Sequence, residues 1–275
     1  MPNSAPTLPA TARLPINRCN LPAVILGGLT YQLYPVALEI DGIRAFHRDL
    51  FHVLAPLQQH RERAECFVDY MAVHFCLHTL EDVGLSPERV RKSRRNANYL
   101  RMVRGWSFDS DGREGAVLKH WVETRFGLLA RHHGGALDGR DSDAYHRYLA
   151  EGSKGLYATN ALEAQLDLLY TYCQYELQRQ HPNATHLTLY RGINRIDEHE
   201  VLERGGDGCY RVLLNNLNSF TAVRERADEF GDYILCARVP LPKILFYNSL
   251  LPGMLKGEDE FVVIGGVYEV EINTF

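Results

Sequence analysis

Three short pieces near the C-terminus carry side chains suited to chemistry: Leu189-Tyr190-Arg191-Gly192, Asn218-Ser219-Phe220-Thr221 and Gly257-Glu258-Asp259-Glu260-Phe261-Val262-Val263. Each offers one polar residue, or a small polar set, on what reads as a strand. His186 to Tyr190 alternates apolar with polar or aromatic residues, the pattern of a half-buried strand. Phe261 to Ile264 is a β-branched and aromatic run stopped by Gly265-Gly266. Residues two apart on a strand share a face. Glu258 and Glu260 are therefore expected to point the same way, ~7 Å apart, with Asp259 opposed. Like charges on one face repel and are costly to bury together. A fold carries such a pair more readily where cationic chemistry needs it.

The elements that must hold these pieces fall into two sets. Residues 1–18, rich in Pro, Ala and Thr, read as a loose arm. Residues 19–155 are mainly helical in pattern. Ile43, Phe46, Leu50, Phe51 and Leu54 recur at helical spacing, as do Phe67, Tyr70, Met71 and Phe75 within Glu65 to Leu80. Ser86-Pro87-Glu88 is a helix start, and another helix fits Ala116 to Ala130. In residues 156–275 a helix from Asn160 to Gln180, opened by Asn160 with Glu163, precedes a run of strands. These are His186 to Arg191, Tyr210 to Leu214, Tyr233 to Val239, and Glu260 to Ile264 followed by Val267 to Ile272. A short helix, Ala222 to Phe230, interrupts them, with Thr221 placed to cap it and Gly231 to end it. Helices first and strands later predict α+β, not alternating α/β.

Composition narrows the function. The 275 residues are 45% hydrophobic and 23% charged, ordinary for a globular chain with a real core, and the formal charge of −4 argues against a generally basic nucleic-acid binder. The longest apolar run, Leu21 to Leu29, is broken by Pro22 and two glycines and is too short to span a bilayer. The N-terminus lacks the pattern of a signal peptide, so a cytoplasmic protein is expected. The six cysteines form no Cys-x-x-Cys pair and read as reduced core thiols. His74 and His78 stand four apart on a helix, but no third ligand is evident, so no metal is expected. Arg89, Arg91, Lys92, Arg94, Arg95, Arg101 and Arg104 follow Ser86 without an acid between them. They are either a solvated helix face or a docking patch for an acidic partner.

The order Tyr190-Arg191-Gly192, then Ser219-Phe220-Thr221 with Ala227 and Phe230 on the next helix, then Glu258-Asp259-Glu260, resembles the Arg–Ser–Glu class of mono-ADP-ribosyltransferases. Over its whole length the chain is similar to the family of bacterial dinitrogenase reductase ADP-ribosyltransferases, notably from Asn17 to Pro22 and from Phe220 through Arg224 and Arg226 to Gly231. This resemblance implies a core of two small β-sheets forming an NAD cleft, with the helical half packed on it. It implies NAD as cosubstrate, one arginine of dinitrogenase reductase (the nitrogenase iron protein) as acceptor, and a PII-type nitrogen-signalling protein as regulator.

The resemblance also implies roles. Glu260 would stabilise an oxocarbenium-like ribose and bond its 2′-hydroxyl. Glu258 would orient the incoming guanidinium, and Arg191, beside Gly192, would grip the pyrophosphate, a task suited to its planar fork. Ser219 would position Glu260 and the ribose. Phe230 matches an aromatic that stacks on nicotinamide in some relatives, or else is core. The loop Asn248 to Gly257 occupies the place of a target-recognition loop. One departure is Ser-Phe-Thr where many relatives have Ser-Thr-Ser, which leaves the role of Thr221 open. The alternatives are a transferase fold that only binds partners, and an enzyme with another protein target. No Gly-x-Gly-x-x-Gly follows any strand, so a Rossmann crevice is not expected.

Overall fold

The computed structural model describes residues 7–77, 98–139, 141–155, 160–196, 199–206, 208–255 and 259–274. Ten α-helices among the described residues precede or interrupt six strands, and the class is α+β. The helices are α1 Ala23–Leu26, α2 Leu29–Leu33, α3 Ile43–Phe46, α4 Arg48–Leu54, α5 His60–His74, α6 Tyr99–Phe108, α7 Arg113–Phe126, α8 Asp143–Gly155, α9 Asn160–Gln180 and α10 Arg224–Asp228. The strands are β1 His186–Ile193, β2 Glu200–Arg204, β3 Cys209–Thr221, β4 Tyr233–Pro240, β5 Ile244–Tyr247 and β6 Glu260–Thr274. None of the described helices is long and apolar enough to cross a membrane.

The strands form one antiparallel sheet in the order β2-β3-β1-β4-β6-β5, and β3 also pairs with β6. Strands β1, β4, β6 and β3 thus close a ring, and the two small sheets expected are joined through long β3 and β6. Both long strands break register midway, β3 between Leu214 and Leu217, opposite Gly265-Gly266 of β6. The reason is steric. A Cβ on Gly265 would lie 1.7 Å from the Asn215 carbonyl, and Gly266 has φ of 113° with the Gly27 backbone against it. Only glycine fits there. The Val267 amide donates to the Gly27 carbonyl at 2.8 Å, which docks the N-terminal region on the bend. Gln32 of α2 bonds β6 next to it, accepting from the Glu269 amide at 2.7 Å and donating to its carbonyl at 2.9 Å.

Helix α9 runs through the middle of the molecule. Leu162, Leu166, Leu169, Tyr170 and Cys173 are buried as the spacing predicts, and Leu168, Tyr172 and Glu176 are buried as well. Charges buried on such a helix must be paired. Glu176 takes two bonds from Arg63 of α5, at 2.6 and 2.7 Å, and Asp167 takes two from Arg125 of α7. Glu163 pairs with the same Arg125, at 3.1 Å. One apolar cluster from Leu8 to Ile272 includes side chains of both the helical and the strand-rich regions.

Several local expectations need correction. The arm is packed from Leu8 onward: Leu8 and Ala12 are buried, and the Leu14 amide donates to the Gly127 carbonyl at 2.8 Å. Residues 1–6 lie outside the described residues. The helix expected to run to Ala130 ends at Phe126, because Gly127 adopts φ of 71° and closes it. Phe46 is 74% exposed, since the chain turns at buried His47 and splits the expected helix into α3 and α4. Ser86 to Glu88 and the arginines from 89 to 95 lie outside the described residues. Arg101 and Arg104 stand on α6, which begins afresh at Asn98, whose side chain caps it by accepting from the Leu100 amide at 2.8 Å. The thiols are free, with Cys19 and Cys173 buried and Cys76 exposed.

Candidate active site

Three strands meet at Thr221. On one side it lies opposite Tyr190 of β1, and on the other opposite Glu260 of β6. Arg191 follows Tyr190, and Ser219 is two positions from Thr221 on the same strand face. The strand register therefore brings Arg191, Ser219 and Glu260 to one corner of the sheet. Ser219 and Glu260 are diagonal neighbours across β3 and β6, within reach of a long side chain. The Ser219 hydroxyl donates to Glu260 Oε1 at 2.6 Å. Arg191 donates to the Ser219 carbonyl at 2.8 Å. One serine thus bridges the guanidinium and the carboxylate.

The expected shared face of Glu258 and Glu260 does not follow from the backbone. Asp259 has φ of 55°, in the left-handed region that Asp tolerates better than most residues, and the strand starts only at Glu260. Extended geometry, on which the alternation argument rests, is absent at that step. Glu258 itself lies outside the described residues.

Two further side chains hold Glu260, and they come from the helical half. Tyr99, Met102, Val103 and Trp106 form the buried stripe of α6, which carries the helix end to the sheet corner. The Trp106 indole N–H is shared between Ser219 Oγ at 3.0 Å and Glu260 Oε1 at 3.2 Å. The Ser107 hydroxyl donates to Glu260 Oε2 at 2.6 Å. The C-terminal pole of α6 disfavours a nearby carboxylate by ~0.3–1 kcal/mol. Hydrogen bonds to a charged group, at ~1.5–3 kcal/mol each, outweigh it. Arg104 of the same helix donates twice to the Met254 carbonyl, at 2.8 and 3.0 Å.

The cations around this corner differ in accessibility. Lys119 of α7 is buried beneath the Trp106 ring, 5.8 Å from its centre, and bonds Asp111 at 2.7 Å. Burial lowers its pKa, and Asp111 only partly offsets that. His199, near Arg191, has its pKa lowered to about 3, by burial first and then by the Arg191 charge, so its imidazole is neutral. Arg191 is half-buried.

Phe230 is 65% exposed, so it is not core. Its backbone lies against β1: a Cβ on Gly192 would sit 2.9 Å from the Phe230 carbonyl carbon and 2.1 Å from the Ala227 carbonyl oxygen. Gly192 therefore allows α10 and Phe230 to approach the strand that bears Arg191. Thr221 Oγ1 accepts from the Val223 amide at 3.1 Å and shapes the turn out of β3, while the cap position of α10 falls to Val223 and the helix spans only Arg224–Asp228. His74 stacks on Tyr70 with ring centres 5.2 Å apart, and His78 lies outside the described residues. No group of three or more His, Cys, Asp or Glu among the described residues could hold a metal ion.

Sequence reasoning missed Trp106 and Ser107, since only the tertiary fold brings them to a residue more than 150 positions away. It also missed Asn215 and Asn216, which with Asn218 fix the bend of β3. Asn216 donates to the Lys119 and Leu128 carbonyls, Asn215 to that of His132, and Asn218 to that of Asn215. Polar amides inside the apolar run Val212 to Leu217 were the available signal.

The model of the dinitrogenase reductase ADP-ribosyltransferase family matches residues 16–272. The NAD(+)–dinitrogen-reductase ADP-D-ribosyltransferase of Rhodospirillum rubrum is 38% identical over 257 residues, covering 93% of each chain. No solved structure matches the chain. The family model extends across the helical half that supplies Trp106 and Ser107 as well as the strands that supply Arg191, Ser219 and Glu260. The chain belongs to the dinitrogenase reductase ADP-ribosyltransferase family.

Proposed function

We propose that this protein is an enzyme that transfers ADP-ribose from NAD to an arginine of dinitrogenase reductase, with the corner formed by Arg191, Ser219 and Glu260 as its active site. The carrying observation is the Glu260 carboxylate fixed by Ser219, which also holds Arg191. Cleavage of the nicotinamide–ribose bond returns its electron pair to the pyridinium nitrogen, releases neutral nicotinamide and leaves positive charge on the sugar, as in glycoside hydrolysis. A pre-positioned carboxylate stabilises that charge more in the transition state than in NAD itself. Attack by the target's guanidine nitrogen forms the new C–N bond, and one proton leaves late in the attack, since an arginine pKa above ~12 makes earlier loss costly.

Within this reading Arg191 grips the pyrophosphate bidentately, as a planar guanidinium suits. Phe230, exposed beside β1, stacks on nicotinamide. Glu258 orients the acceptor guanidinium, an assignment that rests on its place two residues before Glu260. A PII-type protein regulates the enzyme, and the arginine-rich segment from residue 89 docks either that protein or dinitrogenase reductase. The described end of that run is already engaged, Arg101 by Glu114 and Arg104 by the Met254 carbonyl.

The test is Glu260→Gln, with nicotinamide release and labelling of dinitrogenase reductase as readouts. Loss of the charge lowers turnover ~10²-fold or more, with NAD affinity nearly unchanged. Undiminished turnover refutes the assignment.

A further inference from the structure

We infer that Trp106 and Ser107, at the end of α6, are positioning residues that fix the Glu260 carboxylate for reaction and leave it one acceptor site for a substrate hydroxyl. This inference rests on the reading of Glu260 given above.

Its basis is an account of donors and lone pairs. An ionised carboxylate offers about four acceptor positions, two on each oxygen. Oε1 accepts from Ser219 at 2.6 Å and shares the Trp106 N–H at 3.2 Å. Oε2 accepts from Ser107 at 2.6 Å. Among the described residues three positions are thereby filled, and the remaining one lies on Oε2. The indole N–H can only donate, so Trp106 cannot serve a protonated acid's O–H. Its shared bond also reaches Ser219 Oγ at 3.0 Å, so Trp106, Ser219 and Glu260 form a chain in which each donor polarises the next. Ser107 has one proton and two acceptors in reach, Glu260 at 2.6 Å and the Val103 carbonyl at 3.4 Å. The shorter, charge-assisted bond takes it.

Fold stability alone gives no reason for this arrangement. Ser107 is exposed, so water would satisfy its hydroxyl if Glu260 were absent. A glutamate side chain has three torsions, and a reacting group must be held within ~0.5 Å of its productive place. Donors on both oxygens remove that freedom before substrate arrives. Helix α6 also holds the Met254 carbonyl through Arg104, so it grips the chain at residue 254 and again at residue 260. The helical half thereby sets the geometry of a residue borne by the sheet.

The experiment measures nicotinamide release from NAD by the full chain carrying Ser107→Ala, Ser107→Thr, Trp106→Phe, or Ser107→Ala with Trp106→Phe, beside Glu260→Gln. Losing one of three donors to the charged group lowers kcat ~10-fold in each single alanine or phenylalanine variant, and the double variant falls ~10²-fold. KM for NAD stays within about twofold, because the interaction matters in the transition state and not in binding. Ser107→Thr, which restores the hydroxyl, recovers most of the rate. Ser107 is exposed, so its variants remain informative even where loss of the buried indole unfolds the chain. Wild-type kcat in Ser107→Ala, a loss confined to KM, or no recovery by threonine overturns the inference. If any of these occurs while Glu260→Gln is inactive, the catalytic reading stands without it. An active Glu260→Gln overturns that reading itself.

Discussion

Gly192→Ala adds one methyl group at the closest approach of β1 to α10, and its consequences can be worked from distances. The new Cβ would lie 2.1 Å from the Ala227 carbonyl oxygen and 3.0 Å from Phe230 Cβ. Ordinary contact begins at 3.4 Å, so strand and helix must part by about 1.3 Å. Neither obstacle nearest the methyl is a flexible side-chain end, because the Ala227 oxygen and the Phe230 carbonyl carbon are both backbone. Strand β1 is held across its whole length by β4, with Gly192 opposite Ile234, so α10 and Phe230 must yield most of the distance. Overpacking of this kind costs ~1–3 kcal/mol. For a chain of this size each kcal/mol lowers Tm by ~2–4 °C. Displacement of about 1 Å beside Arg191 carries a larger kinetic penalty, ~10²-fold in kcat/KM for NAD. Calorimetry gives the first quantity and nicotinamide release the second. Gly139→Ala is the control, since a Cβ there meets nothing within 4 Å. A Gly192→Ala enzyme with wild-type Tm and kcat/KM would refute the claim that this contact sets the site.

Two other predictions separate stability from function. Phe230→Ala, at a side chain 65% exposed, shifts stability by less than ~0.5 kcal/mol yet raises KM for NAD severalfold; a fall in Tm with unchanged KM contradicts the stacking role. Lys243 is fully buried, donates to the Gly265 carbonyl at 2.8 Å, and has its pKa lowered by burial from 10.5 to about 7. Between those two values the unfolded chain holds a proton that the folded chain has released. Protons are therefore taken up on unfolding, and stability rises with pH through the window. Thermal unfolding from pH 7 to 8.5 should show that rise in the wild type and a flatter profile in Lys243→Met; parallel profiles contradict it.

The parts legible in the sequence are those that depend on neighbours along the chain. Helix α9 spans the predicted residues because a long apolar stripe starts and stops within it, β1 follows from alternation, and β4 covers the strand expected over Tyr233 to Val239. Arg191, Ser219 and Glu260 were singled out by order, and the sheet register brings them together. Strand β5 escaped notice because four buried residues, Ile244 to Tyr247, show no alternation. Strand β2, Glu200 to Arg204, has too few buried residues to show a period. The geometry at Asp259 was illegible for another reason: Asp permits a positive φ but does not require it, so the conformation follows from its surroundings. The packed segment after residue 7 is a similar case, since Pro, Ala and Thr say nothing of the groove that receives Leu8.

The sequence pattern divides labour between helices that pack and strands that react, and the contacts of Glu260 do not respect that division. Of its three donors among the described residues, Ser219 comes from the strand-rich region, and Trp106 and Ser107 come from α6. Helix α6 is in turn placed by α9, whose Gln165 accepts the Tyr99 amide at 2.9 Å, and by α7, which packs so closely that a Cβ on Gly105 would lie 2.4 Å from Glu114 Cβ. The bend of β6 that leads away from Glu260 leans on Gly27, between α1 and α2, and on Gln32 of α2. Strands alone would thus keep the register that gathers Arg191, Ser219 and Glu260 but lose two of the bonds that orient the carboxylate. A fold in which the reacting acid is held from outside its own sheet makes its geometry depend on the packing of the entire helical half. Any force that shifts α6 by the length of a hydrogen bond therefore acts on catalysis without touching the substrate pocket.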